Sequence, residues 1–409
     1  MIGDGAPELV RRYVELGLRL GRHNPDIVDS YYGPPAWRDA IDAAPVVPAG
    51  HLVEEARELI VDIDGDASVA DHQLDTQRRR WLRSQAVGLH TVARMLHGDT
   101  LDFVDEVELC FGVRPQRITD DEVFEAQREL DRTLRSPGGG TAAPLAERTA
   151  ALRDRHVIPV DRLREVIDNL AQVLQERTIA AFGMPAGERV TFDLVSDKPW
   201  SGFNVYQGGF HSLVTINTDL PVLSTSIAHL VAHEAYPGHH AEACHKEAGL
   251  VRSGDRVEET IALIGTPSCL ISEGLADLGL EALMGADPVP AVAPMLEAAG
   301  VNYEVEPVAA MAHFSEVTAR ARGTLAMYLH ADGRSVEDVI ATAQRWFVVD
   351  EARATQIVRF LNDPTWRAYV FCYAEGHRLC RAWVGGDPVR FARLLDEQLT
   401  PADLHPAAA

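Results

Sequence analysis

A mainly α-helical protein carrying one small β-sheet is what this sequence predicts, and three observations predict it. Apolar residues recur at helical intervals from about Ala6 to Phe182. The texture changes between Glu188 and Asn217, where ERVTFDLV and HSLVTINT are short, alternating, β-branched runs either side of the turn-rich KPWSGFNVYQGG. Helical spacing resumes near Pro221 and continues almost to the C-terminus, interrupted at Thr266-Pro267, Asp287 to Pro290, Ala331-Asp332-Gly333 and Asn362-Asp363-Pro364. The expected order is helices, a small sheet or hairpin inserted among them, a histidine-rich helix, then further helices.

Leu163, Val166, Ile167, Leu170, Val173 and Leu174 share one face behind Pro159, a residue suited to a first helical turn. Leu74, Trp81, Leu82, Leu89, Val92 and Leu96 make a second stripe along Ser68 to His97. Breaks stand at Tyr31-Tyr32-Gly33-Pro34-Pro35 and at Ser136-Pro137-Gly138-Gly139-Gly140-Thr141, the second being the better flexible connection. They suggest a helical N-terminal region, 1–135, and a metal-site region, 142–409. The latter comprises the sheet at 188–217, a motif helix at 222–248 and the C-terminal helices, and the whole reads as one continuous body.

Among the 409 residues, 38 are basic and 61 acidic, a formal charge of −23. Such a balance argues against nucleic acid and against an anionic membrane surface, and favours a small peptide or amide substrate. The segment MIGDGAPELVRRYVELG has neither the basic start nor the apolar run of a signal peptide, and no stretch is long enough to span a membrane, so a cytoplasmic location is expected. The five cysteines are scattered and contain no CxxC, which supports neither a disulfide framework nor a cysteine zinc site.

Residues 232–244 read AHEAYPGHHAEAC. A His-Glu pair followed by more histidine is the zincin arrangement, in which two imidazoles bind zinc and the Glu acts as general base. The spacing is unusual. In HExxH the second His stands at i+4, whereas here that position is Pro237 and the next histidines are His239 and His240. Pro237 removes a backbone donor and crowds the preceding turn, so the helix must kink or bulge there, with Gly238 permitting it. A bulge that absorbs two residues returns His239 to face His233. On an unbroken helix His240 would lie about 10 Å further along the axis, too far to share an ion with His233. His239 is therefore favoured as second ligand, with His240 as an outer or substrate-binding group, or as the alternative ligand. His229 and His245 read as ordinary polar residues.

A carboxylate from a neighbouring helix should complete the set. Glu273 and Asp277, one turn apart in SEGLAD, offer one, although Glu273 also fits a helix-start acid after Ser272. The pair resembles the ExxxD element of thermolysin-like gluzincins, which implies Glu273 as ligand and Asp277 holding the free ring N–H of a ligand histidine. Glu242, too near in the chain, and Glu258 and Glu259, read as a solvated charged turn, are weaker candidates.

Taken with NTDLP at 217–221, HEAYPGHH at 233–240, SEGLADLGLE at 272–281, MYLHADGRS at 327–335, IVRF at 357–360 and YAEG at 373–376, the second half of the chain resembles the bacterial domain of unknown function 885 family, relatives of the gluzincin peptidases. The resemblance implies a helical zincin-like cradle with a small sheet beside the active-site cleft, similar to carboxypeptidase Taq and angiotensin-converting enzyme. It selects His239 through the Gly-His of HExGH, and it passes on no substrate. Leu275 and Asp277 depart from the commoner family pattern, and the spacing from Pro364 to Tyr373 is long, which bears on the substrate pocket.

The expected chemistry is hydrolysis of a peptide or amide bond at one zinc ion held by His233, His239 and Glu273, with an open position for water. Glu234 is the expected general base and Tyr373 the expected donor to the tetrahedral intermediate, ahead of Tyr369, His313 and His330. Asn217 ends a strand, 211–217, that could offer an edge to an extended peptide. Arg320 or Arg322 could pair with a substrate carboxylate, as in a carboxypeptidase or dipeptidase, or form surface ion pairs. Two other classes fit part of the pattern: a non-haem iron enzyme with a two-His, one-carboxylate site, and a non-catalytic metal-binding protein on a peptidase fold.

Overall fold

A computed structural model describes residues 3, 5–65, 74–135, 143–198 and 202–405. The N-terminal part holds helices α1 (Glu8–Gly21), α2 (Pro35–Ala43), α3 (Ala49–Asp64), α4 (Thr76–His97), α5 (Phe103–Phe111), α6 (Asp120–Thr133), α7 (Leu145–Arg155) and α8 (Val160–Phe182), with strand β1 (Val28–Tyr31) between α1 and α2. Strands β2 (Arg189–Val195), β3 (Gly202–Tyr206) and β4 (His211–Asn217) follow, then α9 (Ser224–Glu234), α10 (His239–Lys246) and strand β5 (Ile261–Leu263). Helices α11 (Pro267–Met284), α12 (Pro288–Ala298), α13 (Val305–His330), α14 (Val336–Phe347), α15 (Glu351–Leu361), α16 (Val370–Val384) and α17 (Pro388–Asp396) complete the chain. The fold is mainly α with small sheets, as the periodicity predicts.

Local chemistry sets many of the helix ends. The Asp75 carboxylate accepts from the Arg78 backbone N–H at the start of α4, and Thr119 and Glu122 form a reciprocal capping box at the start of α6. Two sequence features fall outside the described residues: the Ser68–Gln73 part of the α4 stripe and the Ser136–Thr141 connection.

The strands differ from the expectation in three ways. The turn-rich stretch contains β3, and the sheet order is β2-β4-β3, so β2 and β4 pair in parallel while β3 runs antiparallel to β4. β4 is thus the central strand, with both edges occupied, and cannot accept a peptide by strand addition. The N-terminal helical stretch is also interrupted by β1, which pairs with β5 across more than two hundred residues.

Three buried clusters hold the elements together. Val10, Leu52, Leu82, Leu89 and Leu263 join α1, α3, α4 and β5. Val166, Ile167, Phe192, Val214, Ile227 and Val231 join α8, the three-stranded sheet and α9. Val107, Leu270, Leu325, Trp346, Phe371 and Phe391 join α5, α11, α13, α14, α16 and α17. α11 is buried on nearly every side and meets α16 closely at Gly274 and Gly376, where a Cβ on either residue would overlap the backbone of the other helix. This contact carries the C-terminal tyrosines to the metal-motif residues of α11.

Candidate metal centre

The motif segment is two helices, not one kinked helix. α9 stops at Glu234, Ala235 leaves helical geometry, the Tyr236-Pro237 peptide is cis, and α10 starts at His239. Across the break the backbone bonds lengthen in register: Gly238 N–H donates to Ala232 O at 2.9 Å and Ala241 N–H to Ala235 O at 3.2 Å, each reaching six residues back where an α-helix reaches four. Two residues are therefore inserted into one helical path. Gly238 is required sterically, since a Cβ there would overlap the carbonyl oxygens of His233 and Ala232.

That insertion turns His239 onto His233. Their Nε2 atoms are 3.1 Å apart, with the rings nearly perpendicular at 88°. Glu273 completes the group: its Oε2 lies 3.4 Å from His233 Nε2 and its Oε1 3.7 Å from His239 Nε2. Donors about 2.0–2.1 Å from a tetrahedral ion stand roughly 3.3 Å from one another, and these separations bracket that value.

The outer ends of both rings are tied. His233 Nδ1 lies 2.9 Å from Asp277 Oδ1. His239 Nδ1 lies 3.1 Å from Ser272 Oγ, whose hydroxyl donates to Glu242 Oε2 at 2.5 Å. Because Asp277 accepts and the Ser272 proton is committed to Glu242, each ring donates through Nδ1 and turns Nε2 inward, so that loss of the Nε2 proton leaves a lone pair for a metal. Tyr369 donates to Glu273 Oε1 at 2.6 Å, while Glu273 Oε2 is buried with no hydrogen-bond partner. An orphaned buried carboxylate oxygen costs about 1–3 kcal/mol or more. Facing the Nε2 atoms of two imidazoles, it fits a divalent cation. These three residues are the one such group among the described residues.

In the metal-free cluster burial disfavours charge on His233, but the hydrogen bond to Asp277 and the Glu273 carboxylate 3.4 Å away outweigh that and raise its pKa well above the usual histidine value. Burial likewise opposes ionisation of Glu273, yet His233, His239 and Tyr369 hold it below the ordinary carboxylate range. Glu234, buried with its Oε1 3.1 Å from the Cβ position of Gly202 on β3, is raised by burial against the pull of His233 and His239. Tyr373 stands next to Tyr369, ring centroids 5.6 Å apart, and has no hydrogen-bond partner among the described residues. Tyr373 is 37% exposed, and desolvation of its hydroxyl together with the negative charges of Glu273 and Asp277 raises its pKa well above that of an ordinary tyrosine, so the hydroxyl is a donor at neutral pH.

Other expected residues lie elsewhere. His240 is neither a neighbour of the donor group nor open to substrate: fully buried, it binds Ser212 Oγ and Glu188 Oε2, each at 2.8 Å, beneath the sheet. Asn217 donates to the Lys198 carbonyl and accepts from Asp219 N–H, closing the turn after β4. Arg320 pairs with Glu122 at the α13–α6 contact. His313 approaches Glu129 at the surface, and His330 binds the Leu361 carbonyl. Glu258 is no solvated turn residue but fully buried against Arg78, at 2.6 and 2.7 Å. His229, about half exposed, has its Nε2 3.6 Å from Asp277 Oδ1 and its ring 5.9 Å from that of His233. Its i, i+4 spacing to His233 was the available signal.

Fold and site together define a helical protein with a candidate two-histidine, one-carboxylate metal centre. No family model and no curated protein matches the chain, so the expected family finds no support beyond the fold. Among solved structures it is similar to a candidate lipoprotein of Colwellia psychrerythraea at 16% identity and a TM-score of 0.51, over 86% of this chain and 65% of that one. At that identity the likeness is one of fold, and this chain spans about two thirds of that protein's length. A candidate lipoprotein of unknown function from Shewanella oneidensis gives 14% identity and a TM-score of 0.45, covering 94% and 76% of the two chains. An M32 carboxypeptidase from Deinococcus radiodurans R1 gives 13% and 0.38, covering 95% and 88%.

The first of these likenesses overturns the expected cytoplasmic location. The first structure is described as a lipoprotein, a membrane-anchored or exported class. Among the described residues no helix is long and apolar enough to cross a membrane.

Proposed function

We propose that the chain is a zinc-dependent hydrolase of peptide or amide bonds, related to the domain of unknown function 885 proteins and acting on small peptides. The observation that carries this reading is the meeting of two inward-turned imidazole nitrogens with an orphaned Glu273 oxygen, the buried Glu234 being next in the chain to His233. Zinc, when bound by His233, His239 and Glu273, supplies a Lewis acid for water and for the carbonyl under attack.

The protein's own residues do the rest. Glu234, raised by burial, accepts the proton of the attacking water and delivers it to the leaving amine. Tyr373 donates its free hydroxyl to the developing oxyanion. Asp277 and Ser272 hold the two imidazoles in the required tautomer. Since β4 is central, the strand able to lie alongside an extended peptide is β3, whose Gly202 abuts Glu234.

Carboxypeptidase or dipeptidase action is the narrower form of this reading, supported by Arg322 rather than Arg320. Arg322 is exposed on α13, near enough to Tyr373 and Arg353 for their charges to act on it, and no hydrogen bond or ion pair engages it among the described residues. An unpaired guanidinium there suits a terminal carboxylate.

The test is a peptide-library digest read by mass spectrometry, with Glu234→Gln as control. Zinc-loaded protein is expected to cleave, and the variant to keep its zinc while losing turnover by about two to four orders of magnitude. Undiminished cleavage by the variant removes Glu234 from the mechanism. Iron with redox activity in the purified protein sinks the hydrolase reading.

A further inference from the structure

Strand β1 contains a bulge between Val28 and Ser30 where it pairs with β5. Its effect appears in the packing. Val28 and Tyr31, three apart, both pack on the cluster of α1, α3 and α4, whereas an unbroken strand would put residues two apart on one face. Asp29, the extra residue, is thereby carried to the opposite side. There β1 lies against β3, and β3 abuts Glu234 through Gly202.

Through β3 that side leads to Glu234, and the charges acting on Asp29 are those of the metal cluster. Its side chain is half-buried, and desolvation pushes its carboxyl up to about 6, against the attraction of His239 and with the repulsion of Glu273 and Glu234. Its charge is felt by Cys269, one helical turn before Glu273 on α11. Asp29 has no hydrogen bond or ion pair among the described residues. The nearest basic residues in sequence face other groups: Arg22 binds the carbonyls of Ile41, Asp42 and Ala44, and His23 that of Val47. Nor does Asp29 belong with the metal donors, whose ligand atoms all lie within 4.8 Å of one another and do not include it.

We infer that Asp29 is the receptor for a primary ammonium of the substrate, next to the bond that Glu234 helps to cleave. An unpaired carboxylate beyond reach of the metal, yet beside Glu234 and Glu273, makes a local excess of negative charge that a second cation relieves. A substrate ammonium one residue from the reacting carbonyl supplies that cation. The inference rests on the hydrolase reading for the meaning of substrate, and it adds a class: peptides with a free α-amine or a lysine side chain beside the scissile bond.

The test uses the zinc-loaded full chain and two tetrapeptide pools of identical sequence, one with free and one with acetylated N-termini, half of each pool containing lysine. The native protein is expected to prefer the ammonium-bearing members by about ten- to a hundredfold in kcat/KM. Asp29→Asn is expected to bring that ratio to within about twofold while zinc content and melting temperature stay at their native values. Preference tracking the N-terminus assigns the α-amine, and preference tracking lysine assigns the side chain. Equal use of both pools by the native protein, full preference in Asp29→Asn, or loss of zinc from that variant overturns the inference. Should no bond be cut, equilibrium dialysis of the same pools against Glu234→Gln, with and without Asp29→Asn, reads the ammonium preference without turnover. A preference abolished by Asp29→Asn then upholds the receptor although hydrolysis has failed, and its absence removes both.

Discussion

His233 Nδ1 meets Asp277 Oδ1 at 2.9 Å, and this one hydrogen bond fixes which nitrogen of the ring faces His239 and Glu273. The two residues stand on α9 and α11, and α11 packs with α9 through Leu280 and with the C-terminal helices through Leu270, Ile271, Leu275 and Leu278, so the bond orients a ligand between two packed helices. Asp277→Asn keeps the shape but removes the charge and offers an amide that can pair with the wrong tautomer. Zinc affinity is expected to fall about ten- to a hundredfold with helical content unchanged, measured by competition with a chelator.

Metal uptake should depend on pH in a defined direction. In the metal-free cluster His233 is held protonated by Asp277 and Glu273 to a pH well above the usual histidine range, burial notwithstanding. Zinc needs the bare nitrogen, so binding must expel that proton. Below the raised pKa the apparent affinity is expected to fall by about tenfold for each pH unit lost, with about one proton released per ion in calorimetry run in buffers of different ionisation enthalpy. A flat profile across neutral pH would show that His233 is already neutral in the free protein.

Gly238→Ala tests the helix break. Its new Cβ would overlap two carbonyl oxygens of the preceding turn, so α9 and α10 must move apart. Destabilisation of about 2–4 kcal/mol is expected in thermal or denaturant unfolding, together with weaker zinc binding, because His239 loses its place opposite His233. An alanine variant with native zinc affinity would contradict the role given to this break.

Much of this was legible in the sequence, and what was not has a common cause. Helical periodicity reports local burial, so the mainly α class could be read directly. The Pro-Gly defect is also local, and it turned attention to His239. What escaped depends on partners far away in the chain. His240 looked available for chemistry because nothing nearby reveals Glu188 and Ser212, 52 and 28 residues distant, which bury it. Glu258 looked solvated because Arg78 is 180 residues away. β1 is four residues long and Asp29 owes its direction to a bulge opposite β5, a pairing that composition cannot signal. β3 was hidden by the glycines around it, and the central position of β4 follows from pairing order rather than from its own pattern.

Tyr369 and Tyr373, one turn apart on the C-terminal segment, should separate cleanly by mutation. Both are brought to the site by the close crossing of α11 and α16 at Gly274 and Gly376. Tyr369 donates to Glu273 Oε1 at 2.6 Å and so orients a metal ligand, whereas the Tyr373 hydroxyl engages no partner among the described residues. Tyr369→Phe is therefore expected to weaken zinc binding several-fold and to reduce turnover chiefly by loss of metal, with recovery as zinc is raised. Tyr373→Phe is expected to keep native zinc affinity while kcat falls by about two to three orders of magnitude, the loss that follows removal of one oxyanion donor. Because the tetrahedral intermediate alone would need that donor, KM for a cleaved peptide should change little. The reverse assignment, with zinc lost from Tyr373→Phe and kcat lost at saturating zinc from Tyr369→Phe, would exchange the two roles and place the oxyanion on the Glu273 side of the cleft.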